Sequence, residues 1–220
     1  MQSKTLTAVL VWSRWLRLAH WLLALTTAGL IVSGLLLSLD GPLSTTAREL
    51  HAVLGGLMLP PLLLRLYLLF FGKGTDHFYD CEPNLHRLGQ AWRVLRYYLS
   101  LGKAPLPKWY SHNPLWGPLY LALLFFLVLV ALSGVLLLRG YDFIGGVSML
   151  DLHRLCYWMI AVFTLLHLPA VFVHDLSGRA GDISAMVNGY RLFDTGTTKN
   201  SGKPGEQVIP LETLLNTLKR

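Results

Sequence analysis

The stretch LDLHRLCYWMIAVFTLLHLPAVFV, Leu150–Val173, decides how this chain folds. A helix crossing a hydrocarbon core of about 30 Å needs roughly 20 apolar residues, and this stretch supplies them. Its two histidines, His153 and His167, lie 14 residues apart. At 3.6 residues per turn that is close to four whole turns, so both imidazoles leave the helix on nearly the same side, about 21 Å apart along its axis. An ionisable side chain at membrane depth is costly and is read first as functional. Two on one face, at two depths, call for partners on other helices.

Three further segments have the same character. They run from about residue 16 to 39, from 50 to 71 and from 115 to 138, and with 150–173 they make four spans. Pro60-Pro61 interrupts the second and Pro169 sits near the end of the fourth, as spanning helices tolerate. Composition agrees: of 220 residues, 53% are hydrophobic and only 14% charged, against about 25% charged in an ordinary soluble domain. The expected fold class is all-α, an integral membrane four-helix bundle spanning residues 1–175, with a polar tail over 176–220.

The net charge of +7 does not point to nucleic acid. The basic residues fall between apolar runs and form no stripe with interleaved aromatics. They act instead as a topology signal. Lys4, Arg14 and Arg17 precede span one; Lys73, Arg87, Arg93, Arg96, Lys103 and Lys108 occupy the loop 72–114, with Arg65 toward the same end of span two. Arg179, Arg191, Lys199, Lys203, Lys219 and Arg220 lie in the tail, whereas the opposite side has only Arg48, Arg139 and Arg154. Both termini and the loop 72–114 are therefore expected on the cytoplasmic side. The apolar run past Trp15 is too long for a signal-peptide core, so no cleaved leader is read at the N-terminus.

Within that loop Leu88, Trp92, Leu95 and Leu99 recur at helical spacing with Arg93 and Arg96 turned away. This predicts a short amphipathic helix at the inner membrane surface, or one packed on a cytoplasmic partner. His77 and His86 read as solvated. The tail from about Ser177 reads as flexible, with one or two amphipathic turns over Leu211–Leu218. Cys81 and Cys156 suggest no disulfide framework, and neither belongs to a C-x-x-C-H motif, so any haem is held non-covalently. A weak internal echo also shows. Ser33-Gly34 and Ser133-Gly134 each precede a leucine run, and a Leu-His pair follows each, Leu50-His51 and Leu152-His153.

Alternating span direction sorts four histidines by depth. His20 and His167 fall at the inner level, His51 and His153 at the outer level. The bland alternative for each is an imidazole bonded to a carbonyl across the bundle. Opposed imidazoles on facing helices suit the axial positions of haem iron. Zinc or copper can use histidine pairs too, yet no Cys, Asp or Glu set completes such a site at both levels. Two bis-histidine haems fit best. Gly29, Gly34 and Gly55-Gly56 offer room for a macrocycle or for close helix packing. Arg17 near His20, and Arg48 and Arg154 near the outer pair, are candidates for haem propionates or ordinary snorkelling arginines. A quinone needs hydrogen-bond donors and a proton route at an interface, which His112, Asn113, His174 and Asp175 supply; Asn113-Pro114 is equally a helix start.

Arg17-x-x-His20-Trp21 entering span one, His51 opening span two, His112-Asn113-Pro114 entering span three and two histidines 14 apart in span four together form a familiar pattern. The chain resembles the cytochrome b subunits of membrane-bound nickel-iron hydrogenases and formate dehydrogenases, with bacterial cytochrome b561 and thiosulfate-reductase cytochromes as relatives. The resemblance covers about residues 10–190. It implies a bacterial inner-membrane subunit that anchors a periplasmic oxidoreductase with iron–sulfur subunits and exchanges electrons with membrane quinone through two haem b groups. It implies His20, His51, His153 and His167 as axial ligands. It implies a quinone site at His112 and Asn113 with His167 nearby. Two other readings compete: a stand-alone cytochrome b561-type quinone reductase, and a haem-free membrane anchor.

Overall fold

A computed structural model describes residues 6–39, 41–82, 84–100, 102–107, 109–176 and 182–194. Among these residues four helices are long and apolar enough to cross a membrane: α1 (Arg14–Ser38), α2 (Ser44–Phe71), α4 (Trp116–Leu138) and α5, whose spanning part is Met149–Asp175 within Met149–Leu176. Between α2 and α4 lie two 3-10 turns and a helix, α3 (Leu85–Leu99). A strand β1 (Leu6–Leu10) precedes α1, a small hairpin of β2 (Phe143–Ile144) and β3 (Val147–Ser148) joins α4 to α5, and α6 (Asp182–Asn188) and β4 (Tyr190–Asp194) follow α5. The chain is a multi-pass, four-helix membrane protein.

The spans pack as two antiparallel hairpins, α1 with α2 and α4 with α5, which meet chiefly through α2 and α4. The first hairpin is closely packed at Gly29, where a methyl would lie 2.7 Å from Leu54 Cδ1 and would oblige that leucine to turn. Leu23, Met58, Leu62, Leu124, Leu127 and Ile160 interlock as an apolar core drawn from all four spans. Ile160 stands seven residues from each α5 histidine, so this core separates the two histidine levels by about 10 Å on either side. Outward-facing residues such as Leu25, Val32, Leu57, Leu63, Phe125 and Leu165 are exposed, as lipid-facing side chains are. Pro60, Pro61 and Pro169 all sit inside continuous helices.

One end of the bundle is marked by β2–β3, a tight hairpin in which Gly145 and Gly146 carry φ of 57° and 81°; two successive positive values are what a type I′ turn demands. The loop joining α1 to α2 lies at this end too. It is shorter than the sequence suggests, because α2 starts at Ser44 rather than near Leu50. The first turns of α2 are polar, so hydropathy passes over residues that are nonetheless helical. His51 thus sits two turns inside its helix instead of opening it.

The other end carries both strands flanking the bundle. Strand β1 pairs antiparallel with β4, Leu6 opposite Asp194 and Leu10 opposite Tyr190. Helix α6 ends in Gly189, whose N–H donates to Ala185 O at 2.8 Å while its own carbonyl accepts from Val11 N at 2.8 Å and Trp12 N at 3.2 Å. Gly189 has φ of 92°, and a methyl there would lie 2.9 Å from Trp12 O. Residues 182–194 are therefore ordered on the bundle, where the sequence suggests a flexible tail. Their partners are remote in the chain, so no local pattern announces them. Lys4, Asp40, Lys108, Arg179, Lys199, Lys203, Lys219, Arg220 and the turns expected over Leu211–Leu218 lie outside the described residues.

Helix α3 is where the amphipathic spacing places it. Asn84 Oδ1 accepts from Arg87 N at 2.8 Å to cap its start. Val94 and Tyr97 are buried, while Leu88, Trp92 and Leu99 of the expected stripe are exposed, as are Arg93 and Arg96.

Candidate haem and quinone sites

At the β2–β3 end the two hairpins each present one histidine. His51 on α2 and His153 on α5 face each other with ring centroids 6.1 Å apart and planes at 67°. Each ring is tied back to its own hairpin. Ser33 Oγ lies 2.8 Å from His51 Nδ1, and Ser133 Oγ lies 3.0 Å from His153 Nδ1. The serine protons have other acceptors, Gly29 O at 2.8 Å and Val130 O at 3.1 Å. Each serine oxygen is thus placed to accept an Nδ1–H, beside the Leu30 and Val130 carbonyls that also bond these rings, and that tautomer leaves Nε2 as the lone-pair nitrogen of each ring.

Two imidazoles on opposite sides of one metal atom, each bound at about 2 Å, put their ring centres about 6 Å apart. The observed separation fits that arrangement. Among the described residues no group of three or more His, Cys, Asp or Glu side chains converges, so a four-coordinate zinc site is not assembled here. A group bringing its own equatorial ligands, such as haem, fits this donor set. Gly55 stands one turn beyond His51, and a methyl there would meet nothing within 4 Å. Arg48 and Arg154 are exposed beside the pair.

At the β1–β4 end His20 on α1 lies within electrostatic reach of His167 on α5 and of Arg65 on α2. His167 stacks on Phe163 (5.6 Å, 17°) and meets Trp116 and Tyr120 edge-on at 5.5 and 5.9 Å. Its Nδ1 is buried without a hydrogen-bond partner. Arg65, read from the sequence only as a marker of orientation, is buried, with Nη1 donating to Asp76 O at 3.1 Å. An arginine embedded in an apolar run was the one sign of that interior role.

The entry motif of α1 divides its labour by helix face. His20 turns to the bundle, whereas Arg17 Nη1 donates to Val187 O and Trp21 Nε1 donates to Met186 O at 2.9 Å. Arg17 and Trp21 thus clamp the last turn of α6. Arg17 Nε remains buried with no partner.

Around His167 the structure gathers the other expected residues, but on two sides. His112 packs edge-on against Trp12 (4.7 Å) and Tyr120 (5.8 Å), and its Nδ1 lies 2.5 Å from Asp80 Oδ2. Ser111 Oγ donates to the same carboxylate oxygen, and Arg87 Nη2 stands 3.9 Å from the other. Burial opposes a charge on His112, but the bond to Asp80 and the neighbouring Cys81 outweigh it and push its pKa up to about 9. Burial likewise works against the Asp80 anion, yet His112, Ser111 and Arg87 hold its carboxyl below the usual range. Asp76 has weaker support: burial raises it, and Ser13, Arg65 and His112 only partly compensate. Asp80 carried no sequence signal, because Ser111 and His112, which bond its carboxylate, lie some thirty residues downstream.

His174 is on the opposite flank. It stacks on Tyr98 (5.5 Å, 12°), lies beside Trp109, and its Nε2 is 2.9 Å from Tyr98 OH, which also accepts from Trp116 Nε1 at 3.0 Å. Asp175 Oδ1 accepts from Ile183 N at 3.3 Å and so serves α6. Asn113 is buried; its Oδ1 accepts from Leu115 N at 3.0 Å, shaping the entry to α4, while its Nδ2 has no partner.

Residues 11–189 match the prokaryotic cytochrome b561 family, which takes in every span and both histidine levels. The chain belongs to that family. Several curated proteins resemble this cytochrome b561 family member along most of its length. The "Probable Ni/Fe-hydrogenase B-type cytochrome subunit" of Azotobacter chroococcum mcd 1 is 28% identical over 218 residues, covering 85% of this chain and 90% of that protein. The "Probable Ni/Fe-hydrogenase 1 B-type cytochrome subunit" of Escherichia coli (strain K12) is 26% identical over 217 residues, covering 84% and 91%. The "Probable Ni/Fe-hydrogenase B-type cytochrome subunit" of Cupriavidus necator is 25% identical over 227 residues, covering 87% and 90%. No solved structure matches.

Proposed function

We propose that this chain is a di-haem b-type cytochrome subunit that carries electrons between a hydrogenase-like oxidoreductase and the membrane quinone pool. The observation that carries the reading is the His51–His153 pair, 6.1 Å apart by ring centroid with Nε2 free on both rings. His51 and His153 hold one haem b; His20 and His167 hold the second. Haem supplies reversible one-electron redox chemistry, tuned by its axial ligands and their surroundings. The chain's own residues fix the ligand rings, keep an apolar core between the levels and exclude water from it. Arg48 and Arg154 provide positive charge for propionates at one level. Arg17, through its unpartnered Nε, does so at the other.

The quinone site lies at the β1–β4 end, beside the His167 cage. Two buried donors without partners, Asn113 Nδ2 and His167 Nδ1, support a ligand with carbonyl acceptors. Protonated His112 on one flank and His174 on the other suit proton delivery. The described cations concentrate at this end: Arg14, Arg17, Lys73, Arg87, Arg93, Arg96, Lys103 and Arg191, against Arg48, Arg139 and Arg154 opposite. That distribution supports a topology with both termini in the cytoplasm of a bacterium, the chain in its inner membrane and the partner on the periplasmic side. The exposed Leu88, Trp92 and Leu99 of α3 then rest on the inner lipid surface.

A reduced-minus-oxidised spectrum with haem quantification tests the assignment. Two haems per chain are expected in the wild type, and one in each of His51→Ala and His167→Ala. Retention of both haems in either variant refutes the ligand set. Stable co-purification with a large subunit separates this reading from a self-sufficient quinone reductase.

A further inference from the structure

The Ser-Gly echo in the sequence has a structural counterpart. A shift of 100 residues carries Ser33-Gly34 on α1 onto Ser133-Gly134 on α4, and a shift of 102 carries His51 on α2 onto His153 on α5. The same shifts carry Leu30 onto Val130, whose carbonyls each accept from the serine three residues on, at 3.3 and 3.1 Å. They carry Met58 onto Ile160, both in the central core. The hairpins α1–α2 and α4–α5 are thus two versions of one device: a serine on the first helix grips the histidine of the second.

The glycine that follows each serine lies against the gripped ring. A methyl on Gly34 would lie 3.5 Å from His51 Cε1, and one on Gly134 would lie 3.2 Å from His153 Cε1. The first is an ordinary contact, whereas the second is tight enough that His153 would have to give way. Both serines are almost wholly buried, at 1% exposure, so water does not compete for the Nδ1 proton. At the other level the device is broken. The equivalents of His20 and His167 under the same shifts are Tyr120 and Arg65, and His167 Nδ1 has no hydrogen-bond partner.

We propose that Ser33 and Ser133 are positioning residues of the His51/His153 centre, each accepting the Nδ1 proton of one imidazole so that Nε2 is presented to iron as the more basic donor. The proposal rests on the haem assignment made above. An acceptor on the outer nitrogen of a metal-bound imidazole fixes its tautomer and raises its basicity. A more basic ligand favours the ferric state and lowers the midpoint potential. Because the described residues repeat no such serine grip on His167, the His20/His167 centre is an internal control.

The experiment is a redox titration of haem absorption, with ferric low-spin EPR, on the purified full chain and its Ser33→Ala, Ser133→Ala and double variants. Each single variant is expected to keep two haems and to raise the midpoint potential of one, the double variant to raise that same one further, and the second haem to stay put. Ser33→Thr and Ser133→Thr, which keep the hydroxyl, are expected to retain the wild-type potential. If an alanine variant loses one haem instead, recovery of that haem in the threonine variant supports the serine role. Unchanged or lowered potentials in both single variants overturn the proposal, as does haem loss that threonine fails to reverse. A wild-type chain without b-type bands would sink the haem assignment itself, a result distinct from any of these.

Discussion

Replacing Asp80 with asparagine removes the charge that keeps a buried histidine protonated, and the cost can be worked out. His112 and Asp80 have side chains 7% and 17% exposed and a 2.5 Å contact, so solvent screens the pair little. Lifting a histidine from 6.5 to about 9 corresponds to about 3 kcal/mol in favour of the folded state when the ring is fully charged. His112 has a raised folded pKa, so its contribution is complete below about pH 6.5, still mostly present at pH 7, and lost as pH climbs through about 9. Asp80 is held low, so its share is present above the usual carboxylate range and vanishes as pH falls through its lowered value. The pair therefore stabilises most in mildly acidic to neutral solution. In Asp80→Asn, burial leaves His112 neutral and the loss is about 3 kcal/mol, at the lower edge of the cost of breaking a buried ion pair. Unfolding of the full chain by SDS in mixed micelles, compared for wild type and variant at pH 6, 7.5 and 9.5, reads this directly. The gap is expected to be widest at pH 6 and narrowest at pH 9.5, where His112 is neutral and only the Ser111 and Arg87 contacts still favour the carboxylate. A gap below about 0.5 kcal/mol at pH 6, or one that widens with alkali, refutes the argument.

Gly189→Ala combines a φ of 92° with a methyl 2.8 Å from Leu10 Cδ1. A cost of about 1–3 kcal/mol is expected, seen as faster hydrogen exchange at the Val11 and Trp12 amides, and unchanged exchange there would contradict it. Asn113→Ala and His112→Gln are expected to retain both haems and to raise the KM for a soluble quinone analogue several-fold; haem loss with an unaltered KM would place these residues outside a quinone site. A reporter that works only in the cytoplasm, fused after Arg220, is expected to be active, and activity confined to a periplasmic reporter would reverse the proposed orientation.

Much of the architecture was readable along the chain. Four runs of some twenty apolar residues have few ways to satisfy their backbone groups in lipid except as helices, and His153 and His167 declare a common face by their spacing alone. The amphipathic helix 85–99 was equally visible, since Leu88, Trp92, Leu95 and Leu99 repeat at helical period. Elements whose partners are distant were not. Residues 6–10 and 190–194 carry no strand signal worth reading singly; they pair because α1 and α5 bring them to the same end. Arg65 illustrates the limit for single residues. Its position in an apolar run is plain, but whether it snorkels to water or turns inward depends on Asp76 and on the loop that folds back over it.

What this sequence determined by itself is the set of spans, their alternating directions and the grouping of four histidines at two depths. Those follow from one-dimensional quantities: apolar length against membrane thickness, and residue spacing against helical pitch. Only the tertiary structure decided that His51 meets His153 across two hairpins, that Ser33 and Ser133 hold those rings from neighbouring helices, and that His112 is charged through Asp80. Each of these is a contact between side chains far apart in the chain, set by how helices rotate and approach, and no periodicity along a single helix encodes that rotation.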